Sequence, residues 1–527
     1  MVVAPQCEAA QEGAAVLAAG GNAADALVTA ALVQGVTDPH RCGLGGFGCA
    51  TVRWQSRDES RCFGFHGRAG EGVRADQWES ILEGPAPDGF GFILAGKVND
   101  VGYQAITTPG MVAGLAAIHE RYGSMPWNDL VRRASQIARR GFVAGPGLAN
   151  FWIRPGLFGR VSTRDRLAHT KYGQRLWLDG NGDPFKEGHV VQQDDLANTY
   201  DRLAAEGPQS FYTGSLADAI LKDFQAHDAF ITEKDMRDCR ADDEEPLHGR
   251  FRDYDVLTSP LPGGGTALLQ ALKLAEKERV ERYRHNSVEY VDALARILKA
   301  VWKDRLDNQG DPLFTSARSN ALLADGYVSG LLSAQAGVPN AGADSPDTTQ
   351  LTIVDAERNA ISFSHSLGYG SGVFTPGLGF MFNNCLSAFD PRPGHANSIE
   401  PGKARSTAIA ETILMRDGKP VFVLGSPGAA RITAAMLEVI LAVVDHGMSL
   451  SEAILQPRFD AYGEKTLFLE SRFPLSFIDE IVKLGWDVKH SPRPFGMVGR
   501  VYAIHIHDDG RLEGGVDPGE PGLAQLA

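Results

Sequence analysis

Asp347, Thr348 and Thr349 stand where a polar stretch gives way to a run of β-branched residues. A threonine hydroxyl is a poor nucleophile unless a base lies beside it. One solution is to cut the chain immediately before the threonine. The freed α-amino group, with a reference pKa of about 8, then sits next to the same residue's Oγ and serves as its base. That chemistry needs a threonine between a solvent-reachable loop and a rigid strand. Residues 338–347 (VPNAGADSPD) have the composition of an exposed loop. Residues 349–355 (TQLTIVD) read as a strand, 356–359 (AERN) as a turn, and 360–367 (AISFSHSL) as an alternating second strand. The pair predicts a β-hairpin with Thr348 at its entrance. Many threonines begin strands for packing reasons alone, so context by itself leaves both readings open.

A second candidate is 425–431 (GSPGAAR), between a predicted strand at 421–424 and a predicted helix at 432–445. A glycine turn at a helix start presents unpaired backbone N–H groups, which can hold the oxyanion of an acyl-transfer transition state. An ordinary strand-to-helix turn has the same look. Other motifs carry less. The glycine run 43–48 (GLGGFG) follows a helix and precedes a strand, the reverse of a dinucleotide fingerprint. Residues 263–266 (GGGT) lack the lysine of a phosphate loop, and no GxSxG elbow occurs. His505 and His507 share one face of a strand, but the sequence places no third ligand, so the expectation is a solvent-facing pair and no metal.

The elements that must position these residues are mixed. Helices are expected at 9–19, 23–34 with Asn22 as cap, 115–122, 127–140, 216–226, 266–281, 287–304 and 451–456. Residues 211–214 read as a turn. Further strands are expected at 50–54, 379–382, 410–415 and 501–507. With 43% hydrophobic and 22% charged residues, the 527-residue chain is an ordinary globular one. Its net charge of −14 lacks the basic clustering of a nucleic-acid partner. No apolar run reaches membrane-spanning length, and the N-terminal residues lack a signal-peptide pattern, so a cytoplasmic location is expected. Six cysteines are too few for a disulfide scaffold.

Taken together, the motifs resemble the γ-glutamyltransferase family of N-terminal-nucleophile hydrolases. The match runs through 21–25 (GNAAD), 43–48, 108–110 (TPG) with Gly114, 122–126 (YGSMP), 207–208, 211–214 (FYTG) and 231–235 (ITEKD). It continues through Thr348-Thr349, Asn383-Asn384, 425–431 and 457–459 (PRF). The resemblance implies an α+β fold, a four-layer αββα sandwich built by two autoproteolytic fragments, 1–347 and 348–527, separated at the Asp347–Thr348 bond. It implies that Thr348 is the nucleophile and that Ser366 replaces the threonine that contacts the new α-amine. Gly428 and Ala429 would donate the oxyanion-hole N–H groups, provided Ala429 is not required to adopt φ > 0. Arg68 would grip a substrate carboxylate. No cofactor is implied; the partners are a small-molecule amide and the chain's own other fragment.

The sequence departs from the family where the glutamyl group is bound. Gly368 or a deletion replaces an Asn, Cys385 a Gln, Ala388 the Asp that pairs with the substrate ammonium, and Thr407-Ala408 a Ser-Ser pair. The lid segment, 390–403, is shorter. An ammonium without its carboxylate loses a charge-assisted bond of about 1.5–3 kcal/mol. The expectation is therefore an autoprocessing amidohydrolase or acylase whose acyl group carries a carboxylate but no α-ammonium. A true γ-glutamyltransferase with a different pocket, and a non-catalytic homologue, are the alternatives.

Overall fold

The computed structural model describes residues 1–87, 89, 91–333, 347–463, 465–492, 494–495 and 498–527. Most of the loop expected at 338–347 lies outside the described residues. Two antiparallel sheets form the centre. Their strands, in chain order, are β1 (Val2–Ala4), β2 (Phe47–Trp54), β3 (Glu59–Phe65), β4 (Asp242–Glu244), β5 (Leu247–Phe251), β6 (Tyr254–Thr258), β7 (Asp347–Val354), β8 (Ala360–Gly368), β9 (Thr412–Arg416), β10 (Lys419–Gly425), β11 (Tyr502–Ile506), β12 (Leu512–Val516) and β13 (Leu523–Gln525). One sheet has the order β13-β1-β7-β8-β2-β3-β4; the other has the order β12-β11-β10-β9-β6-β5.

The sheets face each other across an apolar layer that includes Val3, Leu257, Val354, Ile413, Val423 and Ile504. Helices cover both outer faces. The first sheet carries α1 (Cys7–Ala18), α2 (Ala23–Thr37), α3 (Met111–Tyr122), α4 (Trp127–Arg140) and α5 (Asp194–Glu206). The second carries α6 (Gly265–Lys277), α7 (Val288–Asn308), α8 (Ile432–Val444) and α9 (Leu450–Leu455). The architecture is the expected αββα sandwich. Every residue of α2 is buried, which explains its alanine-rich, all-round apolar sequence: a helix enclosed on all sides has no polar face.

Local signals set the boundaries. The Asn22 side chain accepts from the N–H groups of Ala24 and Asp25, and Asp25 accepts in return from the Asn22 N–H. Asp25 also accepts from Ser124, so the GNAAD and YGSMP motifs close on each other. The glycine run lets strands approach: a Cβ on Gly48 would lie 2.0 Å from the Ser364 carbonyl oxygen. The hairpin forms as read, with its register extended to Asp347↔Gly368. Two expectations fail. Residues 379–382 make only isolated bridges because Gly377 and Gly379 hold φ of 83° and 76°, incompatible with an extended run. The turn expected at 211–214 is instead a short helix, Ser210–Thr213.

Candidate active site

Strand alternation separates the two adjacent threonines. Thr349 turns toward the helical layer, where its Oγ1 donates to Gln6 and accepts from Gln34. Thr348 points the other way, between the sheets. Its Oγ1 donates to Ser366 Oγ at 3.1 Å, from the directly opposite position on β8. Ser366 Oγ also accepts from the Gly368 N–H at 3.0 Å. Thr348 is 7% exposed and Ser366 1%, so the hydroxyl pair sits in the wall of a pocket with little of its surface exposed. The backbone of Asp347 continues β7 beside Gly368.

The 425–431 turn connects β10 to α8. Gly428 has φ 152° and ψ 13°, and a Cβ there would lie 2.8 Å from Gly499 Cα, so glycine is required. Ala429 adopts φ 49°, a left-handed conformation. Among the described residues neither N–H has a backbone acceptor. The turn therefore leaves both N–H groups without a backbone partner, the state from which an oxyanion can be held; of the two residues, Ala429 lines the cavity and Gly428 does not. The condition set on Ala429 is thus not met, since the position does take φ > 0; the alanine keeps its N–H there at a cost of about 1 kcal/mol of strain. Ala429→Gly should raise thermal stability by roughly that amount while leaving chain cleavage intact, measured by melting curves and denaturing gels.

These elements border one cavity of about 370 Å³. Thr348, Ser366, Thr407 and Ala429 line it together, with Ala388 and Ala408. The lid contributes Asp390, Arg392, His395 and Asn397. Arg68 and Cys385 are not among the lining residues. Arg68 instead pairs with Asp242 at 2.7 Å and Asp311 at 3.4 Å. Cys385 is fully buried; burial pushes its thiol pKa up, and its Sγ lies 3.7 Å from Arg405 Nη1.

Two cations that sequence reasoning missed do line the cavity. Arg405, just before Thr407, lies over the Phe47 ring at 4.6 Å. Phe47 sits opposite Ser366 on the neighbouring strand, which puts this guanidinium one strand away from the hydroxyl pair. Arg305 enters from α7, its guanidinium 5.0 Å from the Trp302 ring. Among the described residues no carboxylate pairs with Arg305. Burial and the facing Arg405 pull its pKa down to about 9, still charged at neutral pH. Among the described residues the cavity's two carboxylates are already engaged, Asp390 with Arg392 and Asp307 with Lys303.

The family described as Gamma-glutamyltranspeptidase matches residues 9–527. The chain belongs to the gamma-glutamyltranspeptidase family. Within it, this chain is 31% identical to the Acylase ACY 1 proenzyme of Pseudomonas sp. (strain V22), over 98% of its own length and 91% of the relative's. It is 28% identical to the Glutathione hydrolase proenzyme of Escherichia coli (strain K12), over 98% and 90%. The crystal structure of cephalosporin acylase from Bacillus halodurans superposes with a TM-score of 0.87 and 25% identity, covering all of this chain and 95% of that one. This gamma-glutamyltranspeptidase-family chain is thus an amide-acting hydrolase of the N-terminal-nucleophile type. No helix among its described residues is long and apolar enough to cross a membrane.

Beneath the hydroxyl pair this family member carries a buried polar ladder. Gln350 and Ser364 occupy the next positions on the same strand faces. Gln350 Nε2 donates to Glu411 Oε2 at 2.8 Å, and the Ser362 hydroxyl donates to the same oxygen. Glu411 is fully buried, and desolvation pushes its carboxyl up to about 7. A carboxyl raised in the folded state favours folding when protonated, so stability should fall as pH rises from the ordinary carboxylate range toward 7. Glu411→Gln keeps an acceptor for both donors and carries no charge. It should flatten that part of the stability–pH curve, as read by thermal melts from acid to neutral pH.

Proposed function

We propose that this protein is an autoprocessing acylase that hydrolyses the amide of a small acyl group bearing a second carboxylate. Thr348 is the nucleophile once the Asp347–Thr348 bond is cut, giving fragments 1–347 and 348–527. Its own α-amine takes the hydroxyl proton as the oxygen attacks the amide carbonyl. Ser366 orients the hydroxyl, and the Gly428 and Ala429 N–H groups stabilise the tetrahedral oxyanion. Collapse expels the amine with the proton returned by the ammonium. Water then releases the acyl group from the Thr348 ester.

The observation that carries the substrate reading is the guanidinium pair Arg305 and Arg405 in the same cavity as Thr348. Two cations facing one space repel, and a carboxylate between them relieves that repulsion while accepting charge-assisted bonds. A γ-glutamyl ammonium would meet the same cations, with Ala388 at the cavity wall. Arg68, already between two carboxylates, takes no part in this binding. The names of an acylase proenzyme and a cephalosporin acylase among the relatives support the reading. A direct test compares glutaryl-, butyryl- and γ-glutamyl-p-nitroanilide. The glutaryl compound should be turned over about 10–100-fold more efficiently than the γ-glutamyl one. The reverse preference would point to a γ-glutamyltransferase.

A further inference from the structure

His505 on β11 and His507, just past the end of that strand, acquire a partner from the neighbouring strand. Glu513 on β12 stands directly opposite His505. Its Oε2 lies 3.7 Å from His505 Nδ1 and 3.2 Å from His507 Nε2. One donor atom from each of the three residues falls within 4.8 Å of the others. In a tetrahedral zinc site with bonds of about 2.0–2.2 Å, neighbouring donors stand a little over 3 Å apart. The two distances to Glu513 are already close to that spacing.

Two further features point to a ligand. His505 Nδ1 is buried and has no hydrogen-bond partner among the described residues, since 3.7 Å is too long for one. The donors are also held from behind. The His505 ring stacks on Phe422 at 4.1 Å. The second carboxylate oxygen of Glu513 accepts from the N–H and hydroxyl of Ser451. Such outer contacts orient metal ligands. All three side chains keep about a fifth of their surface exposed, so an ion can reach them.

We propose that His505, His507 and Glu513 form a binding site for a divalent transition metal, zinc fitting best. Two imidazoles and one carboxylate suit zinc, whereas magnesium and calcium prefer all-oxygen sets. The fourth position opens to solvent. The ion would fasten β12, the edge strand of its sheet, to β11. His505 pairs with Phe422, three residues along β10 from the turn that begins at Gly425, about 10 Å at strand rise. The site is therefore structural and independent of the acylase reading.

The test titrates metal-free purified protein with Zn²⁺ by calorimetry and follows the visible absorption of added Co²⁺. The expected result is one saturable site per chain, intense tetrahedral cobalt bands, and a higher thermal midpoint at saturating zinc. His507→Gln and Glu513→Gln, each at the hairpin surface, should lose the binding and the midpoint rise while keeping the metal-free midpoint and circular dichroism of the parent. Absence of saturable binding by the parent would overturn the proposal. So would equal binding by both variants, which would assign the metal to other groups such as the thiols.

Discussion

Thr348→Ala should yield a single uncut chain with amide turnover lowered by about 10⁴-fold or more. The substitution removes the attacking oxygen for both reactions and deletes the bond to Ser366. Loss of one hydroxyl in the cavity wall should cost only about 1 kcal/mol of stability, so the variant remains folded. Thr348→Ser retains a hydroxyl and should still process. Thr349→Ala is the sharper control. Its hydroxyl faces Gln6 and Gln34 on the opposite side of the strand, so cleavage should persist with normal boundaries. Denaturing gels and single-turnover assays read all three.

The second large effect concerns the guanidinium pair. Arg405→Met keeps the aliphatic stem over Phe47 and removes the charge. Arg305→Met does the same beside Trp302. Each should lower kcat/KM for glutaryl-p-nitroanilide by about 10–100-fold, the equivalent of 1.5–3 kcal/mol for a charge-assisted bond. The loss should fall mainly on KM, because the distal carboxylate is bound alike in ground and transition states. Butyryl-p-nitroanilide, which has no second carboxylate, should be little affected. Arg68→Met should leave the ratio between these two substrates unchanged, since Arg68 faces Asp242 and Asp311 rather than the cavity. A variant pair that slowed both substrates equally would assign the arginines to packing.

What could be read from the sequence was what local patterning governs. The loop-to-strand junction at Thr348, the 349–367 hairpin, the Asn22 cap and the turn before α8 are each written within a few consecutive residues. The strand expected at 379–382 was overruled by glycines at positive φ, a backbone property that apolar composition does not reveal. Ala429 is the opposite case: the sequence posed the question of its φ, and only the fold answered it. Recognition was the least legible part. Arg305 belongs to the ordinary polar pattern of a long helix, and Arg405 to a short basic turn. They meet only because α7 and the segment after the lid border one cavity. Arg68 drew notice only through the family resemblance, while the carboxylates that occupy it lie at positions 242 and 311. Glu513 was likewise invisible as a neighbour of His505 until strand register was known.

The central claim is that Thr348 acts through its own liberated amine. Intact-mass and N-terminal analysis of the purified protein, before and after brief exposure to a slowly released glutaryl ester, tests it directly. The account predicts a small fragment whose first residue is Thr348 and which gains one glutaryl mass on that residue. An active preparation in which Thr348 remains joined to Asp347, or in which the added mass maps to another residue, would contradict it.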